Sequence, residues 1–266
     1  MQQSAESSKP KSSDTKPTID TAFVAVIDTE TTGLGLFDEP VSIGIALFEV
    51  DLPKGGLVRE VDSYYGLREP QAPMSPAALA VHGLTGDRLA GQRFDHARIS
   101  TIIQGADYVI AHNAEFDSRM LAHIVPEIAL KEWRCSYRQI WWSDHIPIAN
   151  RRLDTICAHL GIDRPNPHNA LDDCRALAAA LFTRTGKTNR SRTFLGVALS
   201  KGDFGVVVPP RQTPPPPRPM PYETPKWRAN PAPSAPPKKP SDHKVIGILF
   251  AALFWFAVVL AIVSHK

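Results

Sequence analysis

The stretch FVAVIDTETTG, residues 23–33, constrains the fold more than any other part of the chain. Its first half is apolar without alternation, the pattern of a strand buried on both faces of a sheet. Both faces then need cover, which calls for helices packed on a sheet, an α/β architecture. Yet the strand runs into two carboxylates, Asp28 and Glu30. Residues i and i+2 of a strand share a face, so the two acids are neighbours and Thr29 turns the other way. Two adjacent carboxylates repel unless a proton or a cation lies between them. The TTG that follows takes the chain out of the sheet and leaves the pair at the strand's C-terminal end, where open α/β sheets bind ligands.

The flanking sequence supplies the rest of a sheet. PVSIGIALFEVD and GLVREVDSYYGL are separated by the turn cluster LPKGG and read as an antiparallel hairpin. ADYVIAHN is a further short strand. AEFDSRMLAHI and LDTICAHLG carry apolar residues three and four apart, and NALDDCRALAAALFTR is an alanine-rich helix with Asn169 at its N-cap. The expectation is a domain over residues 21–186, a mixed sheet flanked by helices. The extension 187–207, with TFLGVALSKGDFGVVV, reads as a hairpin turning at KGD or as an extra edge on the domain. TGKT at 185–188 is no phosphate loop, because that pattern needs a glycine where Leu181 stands.

Two more motifs answer to the first. AHNAEFD runs from a strand into a helix and sets Asp117 on the helix's first turn; PHNALDDCRA sets His168 just before a helix and Asp173 one turn inside it. Taken singly, such acids complement a helix dipole and such a histidine is structural. In this order and together they resemble the DEDDh 3′–5′ exonucleases, the family of the proofreading epsilon subunit of bacterial DNA polymerase III. The resemblance covers residues 21–184. DTETTG, HNAEFD and HNALDD match its three motifs, and PAALAVHGLT (76–85) looks like its segment beside the terminal nucleotide. It implies a ribonuclease H-like fold and hydrolysis of phosphodiester bonds from a 3′ end. It implies Asp28, Glu30, Asp117 and Asp173 as ligands of two divalent cations, Mg²⁺ or Mn²⁺, with Asp28 bridging. It also implies His168 as general base and His82 as a substrate contact, with Thr31 expected beside it and Asn113 either lining the same pocket or fixing its loop. The chemistry suits the residue types: magnesium prefers hard oxygen ligands, paired metal ions serve both oxygens of a displacement, and an imidazole titrates near neutral pH.

Charge excludes one route to nucleic acid. The formal net charge is +3, but residues 208–266 hold eight Lys/Arg against two Asp/Glu, so residues 1–207 carry a net −3. A mildly acidic body must hold DNA, or RNA, through local groups or metal ions. Trp133, Trp141 and Trp142 either stack on bases or pack in the core. The three cysteines are widely spaced, with no zinc-type cluster, and fit a reduced compartment.

The ends differ from the middle. Residues 1–20 are polar and lack an apolar signal core. Residues 208–244 form a basic linker with 14 prolines, an extended spacer and a possible protein ligand. VIGILFAALFWFAVVLAIV, residues 245–263, is 19 residues without a charge, enough for a helix to cross a bilayer core of about 30 Å. With KKPSDHK before it, the sequence reads as a C-terminal transmembrane anchor whose catalytic domain faces the cytoplasm. The reading is a membrane-tethered, metal-dependent exonuclease; the alternative from another class is a tethered nucleic-acid-binding or polymerase-accessory module on an inactive exonuclease fold.

Overall fold

A computed structural model of the chain describes residues 20–52, 55–122, 124–186 and 192–205. Five strands make one sheet: β1 (Thr21–Thr31), β2 (Pro40–Asp51), β3 (Gly56–Leu67), β4 (Tyr108–Ala111) and β5 (Glu132–Cys135), in the order β3-β2-β1-β4-β5. Among the described residues the helices are α1 (Pro76–His82), α2 (Gly86–Leu89), α3 (His96–Gly105), α4 (Ala114–Leu121), α5 (Ser136–Gln139), α6 (Leu153–Leu160), α7 (Ala170–Phe182) and α8 (Phe194–Leu199). β1, β2 and β3 pair antiparallel, whereas β4 and β5 add on in parallel. This is the mixed, ribonuclease H-like sheet with flanking helices that the sequence leads one to expect. β5 and α3 carry no clear sequence signal.

β1 is central, and its alternation sorts the core. Ala22, Val24 and Val26 face a cluster built on Leu177, Leu181, Trp142 and Phe194, while Ala25 and Ile27 face one built on Ile99, Ile102, Leu121 and Trp133. Trp133 and Trp142 are therefore core residues, and Trp141 stays largely exposed. The face carrying Val24 and Val26 continues to Asp28 and Glu30; the other continues to Thr29. Alanine is the reason that α7 can lie close on the sheet: Ala170, Ala176, Ala178 and Ala180 are all buried. Its first turn rests directly on Gly44 of β2, the register partner of Asp28.

Of the 187–207 extension, residues 192–205 are described. The expected hairpin at KGD is not what forms there: Phe194–Leu199 is helical. Thr193 caps it by accepting from Gly196 N–H and also donates to the Gly55 carbonyl in the β2–β3 turn. Phe194 is fully buried against the Trp142 ring, with centroids 4.3 Å apart. Burying that face outweighs the β-like pattern of the sequence. No helix among the described residues is long and apolar enough to cross a membrane, and the expected spans at 245–263, 208–244 and 1–19 lie outside them.

Candidate active site

Two helices on opposite faces of the sheet end their approach at the C-terminal end of β1. α7 brings Asp173, buried in its first turn, to the face carrying Asp28 and Glu30. α4 brings Asp117, equally buried in its first turn, from the face of Thr29. A β-bulge between Glu30 and Thr31 then bends the strand away. Asp28, Glu30, Asp173 and His168 line one cavity of about 570 Å³. Both helix N-termini direct their positive ends toward the acids.

The electrostatics of this cluster follow from burial and crowding. Burial, then Asp117, Glu30 and Asp173 in that order, push the Asp28 carboxyl well above the usual range. Burial, then Asp173 and Asp117, push Glu30 up to about 8. Burial pushes Asp117 to about 7, against the pull of a hydrogen bond from Thr29 Oγ1 to its Oδ1 at 2.8 Å. Such a group of acids is short of positive charge at neutral pH. The donor set fits a divalent cation: ligand atoms of Glu30, His168 and Asp173 lie within 4.8 Å of one another, and all but the imidazole are hard oxygens.

His168 stands at the rim with its Nδ1 3.8 Å from Glu30 Oε1. Its backbone is in the left-handed region, at φ 66°, uncommon for a residue with a side chain. Asp173 Oδ2 accepts its N–H at 3.1 Å, which ties the histidine to the acid five residues on. Asn169 caps α7 by accepting from Leu171 and Asp172 N–H.

The expected substrate contacts separate. Asn113 lines the cavity, is exposed, and its side chain makes no cap bond to α4. Thr31 and His82 are not in the cavity lining. The Thr31 hydroxyl donates to Gly33 O at 2.6 Å. His82 Nδ1 accepts from Leu84 N–H, so its Nε2 carries the proton and donates to the Thr31 carbonyl at 3.2 Å. The pair braces the loop after β1.

Sequence reasoning passed over two residues. Thr29 lies on the far face from Asp28, yet its hydroxyl holds Asp117; a buried polar residue between two acids was the available signal. Arg164 is nine positions from Asp173 in a loop, with nothing in its pattern to single it out. Its nearly buried guanidinium places Nη2 2.6 Å and Nε 3.1 Å from Asp173 Oδ1, and Nη1 on Asp154 in the first turn of α6.

The chain is similar to known exonucleases. The family model described as Exonuclease (RNase_T) matches residues 25–181. Exodeoxyribonuclease 10 of Escherichia coli K12 is 33% identical over 170 residues, covering 60% of this chain and 67% of its own. The DNA polymerase III epsilon subunit of Pasteurella multocida is 30% identical over 179 residues, again covering 60% and 67%. Among solved structures, exonuclease X in complex with 5′-overhanging duplex DNA is 26% identical, covers 65% of this chain and 99% of its own, and superposes with a TM-score of 0.44. E. coli exonuclease I with a dT13 oligonucleotide is 15% identical, with a TM-score of 0.49; the match covers 59% of this chain but only 40% of that one.

Proposed function

The chain belongs to the RNase T-type exonuclease family, and from that premise we propose that it removes nucleoside monophosphates from the 3′ end of DNA, with RNA as a further substrate. The observation that carries this reading is the convergence of Asp28, Glu30 and Asp173 with His168 in one cavity, and of Asp117 on Thr29 beside them. Asp28, Glu30 and Asp173 in the cavity, with Asp117 held beside them by Thr29, would hold two divalent cations, Mg²⁺ or Mn²⁺. Bound there, such ions would supply positive charge to the reacting oxygens and lower the pKa of water. His168 takes the proton of the attacking water, the P–O3′ bond breaks, and the 3′-oxygen leaves on the shortened strand. Thr29 fixes Asp117, and Asn113 is free to contact the terminal nucleotide. A complete set of acids supports this reading over an inactive binding module, in which nothing would keep so many buried carboxylates together.

The full-length chain is to be incubated with 5′-labelled single-stranded DNA, duplex DNA and RNA, in Mg²⁺ or EDTA, beside Asp28→Asn. A ladder shortening from the 3′ end in Mg²⁺ alone, absent in Asp28→Asn, is expected. Undiminished cleavage by Asp28→Asn would overturn the site.

The tether is part of the proposal. Residues 245–263 anchor the chain in a membrane by its C-terminus, residues 208–244 space the domain from the bilayer and offer prolines to a protein partner, and the domain acts in the cytoplasm. Fractionation tests it: the intact chain sediments with membranes and a chain ending at residue 240 does not. An intact chain found wholly in the soluble fraction refutes the anchor.

A further inference from the structure

One part of the cavity wall has no task in the chemistry above. It is built on His112, which follows β4. Its Nε2 lies 2.8 Å from the Arg151 carbonyl and its Nδ1 2.7 Å from the Ser136 hydroxyl. A carbonyl can only accept, so Nε2 carries the proton and Ser136 donates to Nδ1. Burial pushes this imidazole down to about 4, so the ring stays neutral and the linkage holds at neutral pH. His112 thus pins the start of α5 and the approach to α6 onto the end of β4.

The two pinned segments present Tyr137 and Arg152 to the cavity. Tyr137 is held by the Arg151 guanidinium, 4.4 Å from the ring centroid, and by the His112 ring at 5.7 Å, yet 36% of it is exposed. Arg152 N–H donates to Asn150 Oδ1 at 3.0 Å, which also accepts from Thr155 Oγ1 at 2.8 Å, fixing the turn. The Arg152 side chain itself has no hydrogen bond or ion pair among the described residues. Arg164, the other arginine in the wall, is taken up by Asp173 and Asp154. An unpaired guanidinium and a braced, part-exposed aromatic ring therefore share one cavity with the acids.

We propose that Tyr137 and Arg152 form a subsite for one nucleotide of single-stranded nucleic acid, its base against the exposed part of the tyrosine ring and its phosphate on the guanidinium. The inference rests on reading the adjoining acids as an exonuclease centre and adds how the strand is gripped there. A net-acidic body repels a polyanion, and a local cation beside a stacking surface supplies attraction that does not depend on base sequence. The wall is held by bonds within the protein, so little order has to be gained on binding.

The test is fluorescence anisotropy of the detergent-solubilised full-length chain with a labelled phosphorothioate oligothymidylate, in Mg²⁺, across a salt series. Arg152→Gln is expected to weaken binding about tenfold and to lower the slope of log K against log salt by about one. Tyr137→Leu is expected to weaken it about as much with the slope unchanged, and Tyr137→Phe to bind as wild type. Arg59→Gln, on the outer strand β3, serves as the control without effect. Wild-type affinity and slope in Arg152→Gln, or equal losses in Tyr137→Phe and Tyr137→Leu, would overturn the subsite. Hydrolysis of p-nitrophenyl thymidine 5′-phosphate by wild type against Asp28→Asn reads the acid centre separately. A chain that grips the oligonucleotide through Arg152 but hydrolyses neither compound keeps the subsite and loses the exonuclease reading.

Discussion

Gly44→Ala should disable the active site without touching any residue in it. Gly44 sits opposite Asp28 in the β1–β2 register, and the first turn of α7 lies on it. A Cβ there would stand 2.3 Å from the Ala170 carbonyl carbon and 2.4 Å from both Ala170 O and Leu171 N. These are backbone atoms, so no side chain can swing aside. Ordinary contact begins near 3.4 Å, which obliges α7 to withdraw by roughly 1 Å. The withdrawal carries Asp173 and His168 away from Asp28 and Glu30. Overpacking of this kind costs about 1–3 kcal/mol of stability, and a 1 Å misplacement of a catalytic group costs about 10²-fold in rate. The variant should remain folded by circular dichroism, melt several degrees lower, and lose about two orders of magnitude in kcat on single-stranded DNA. Gly86→Ala, where an added Cβ meets nothing within 4 Å, should change neither. A Gly44→Ala enzyme with the wild-type rate would show that the α7–β2 contact does not set the distance between the acids.

Thr29→Val deletes the hydroxyl that holds Asp117 and is expected to raise the metal concentration for half-maximal activity about 10–100-fold, with Thr29→Ser near wild type; an unchanged metal titration would remove Thr29 from the support of the site. His168→Asn suits the left-handed backbone at this position and should leave the melting temperature within a few degrees while lowering kcat about 10²–10⁴-fold; retention of rate would dismiss the histidine as base. In EDTA the folded protein should become more stable as pH falls from about 8.5 to about 5. Glu30, pushed to about 8, and Asp117, pushed to about 7, take up protons in the folded state where unfolded carboxyls, near 4, do not. Melting temperatures across that window should rise toward acid in EDTA and flatten in Mg²⁺, and a flat EDTA profile would contradict the crowding of the acids.

The local patterns in this chain were decisive where physics is local. The unbroken apolar run of β1 announced a strand covered on both faces, period-two geometry put Asp28 beside Glu30, and Asn169 before an alanine-rich stretch located α7 and with it Asp173. The three motifs, in order, also named the family that the match over residues 25–181 shows. What the sequence could not carry was distance through space. That Thr29, on the opposite face from Asp28, braces Asp117 depends on α4 arriving at the end of β1 from that side, and that Arg164 holds Asp173 depends on how the loop before α7 folds back. The same is true of His82, whose two nitrogens are spent on Leu84 and Thr31, and of His112, which pins Tyr137 and Arg152 into the cavity wall. The extension over 192–205 shows the limit most plainly: its sequence read as a hairpin turning at KGD or an extra edge on the domain, whereas Phe194–Leu199 forms a helix with Phe194 buried against Trp142. Residue type and spacing determined which groups this protein brings to its chemistry; the packing of helices and loops on the sheet decided which of them meet, because hydrogen bonds and charge act over a few ångströms while partners such as Thr29 and Asp117 are far apart along the chain.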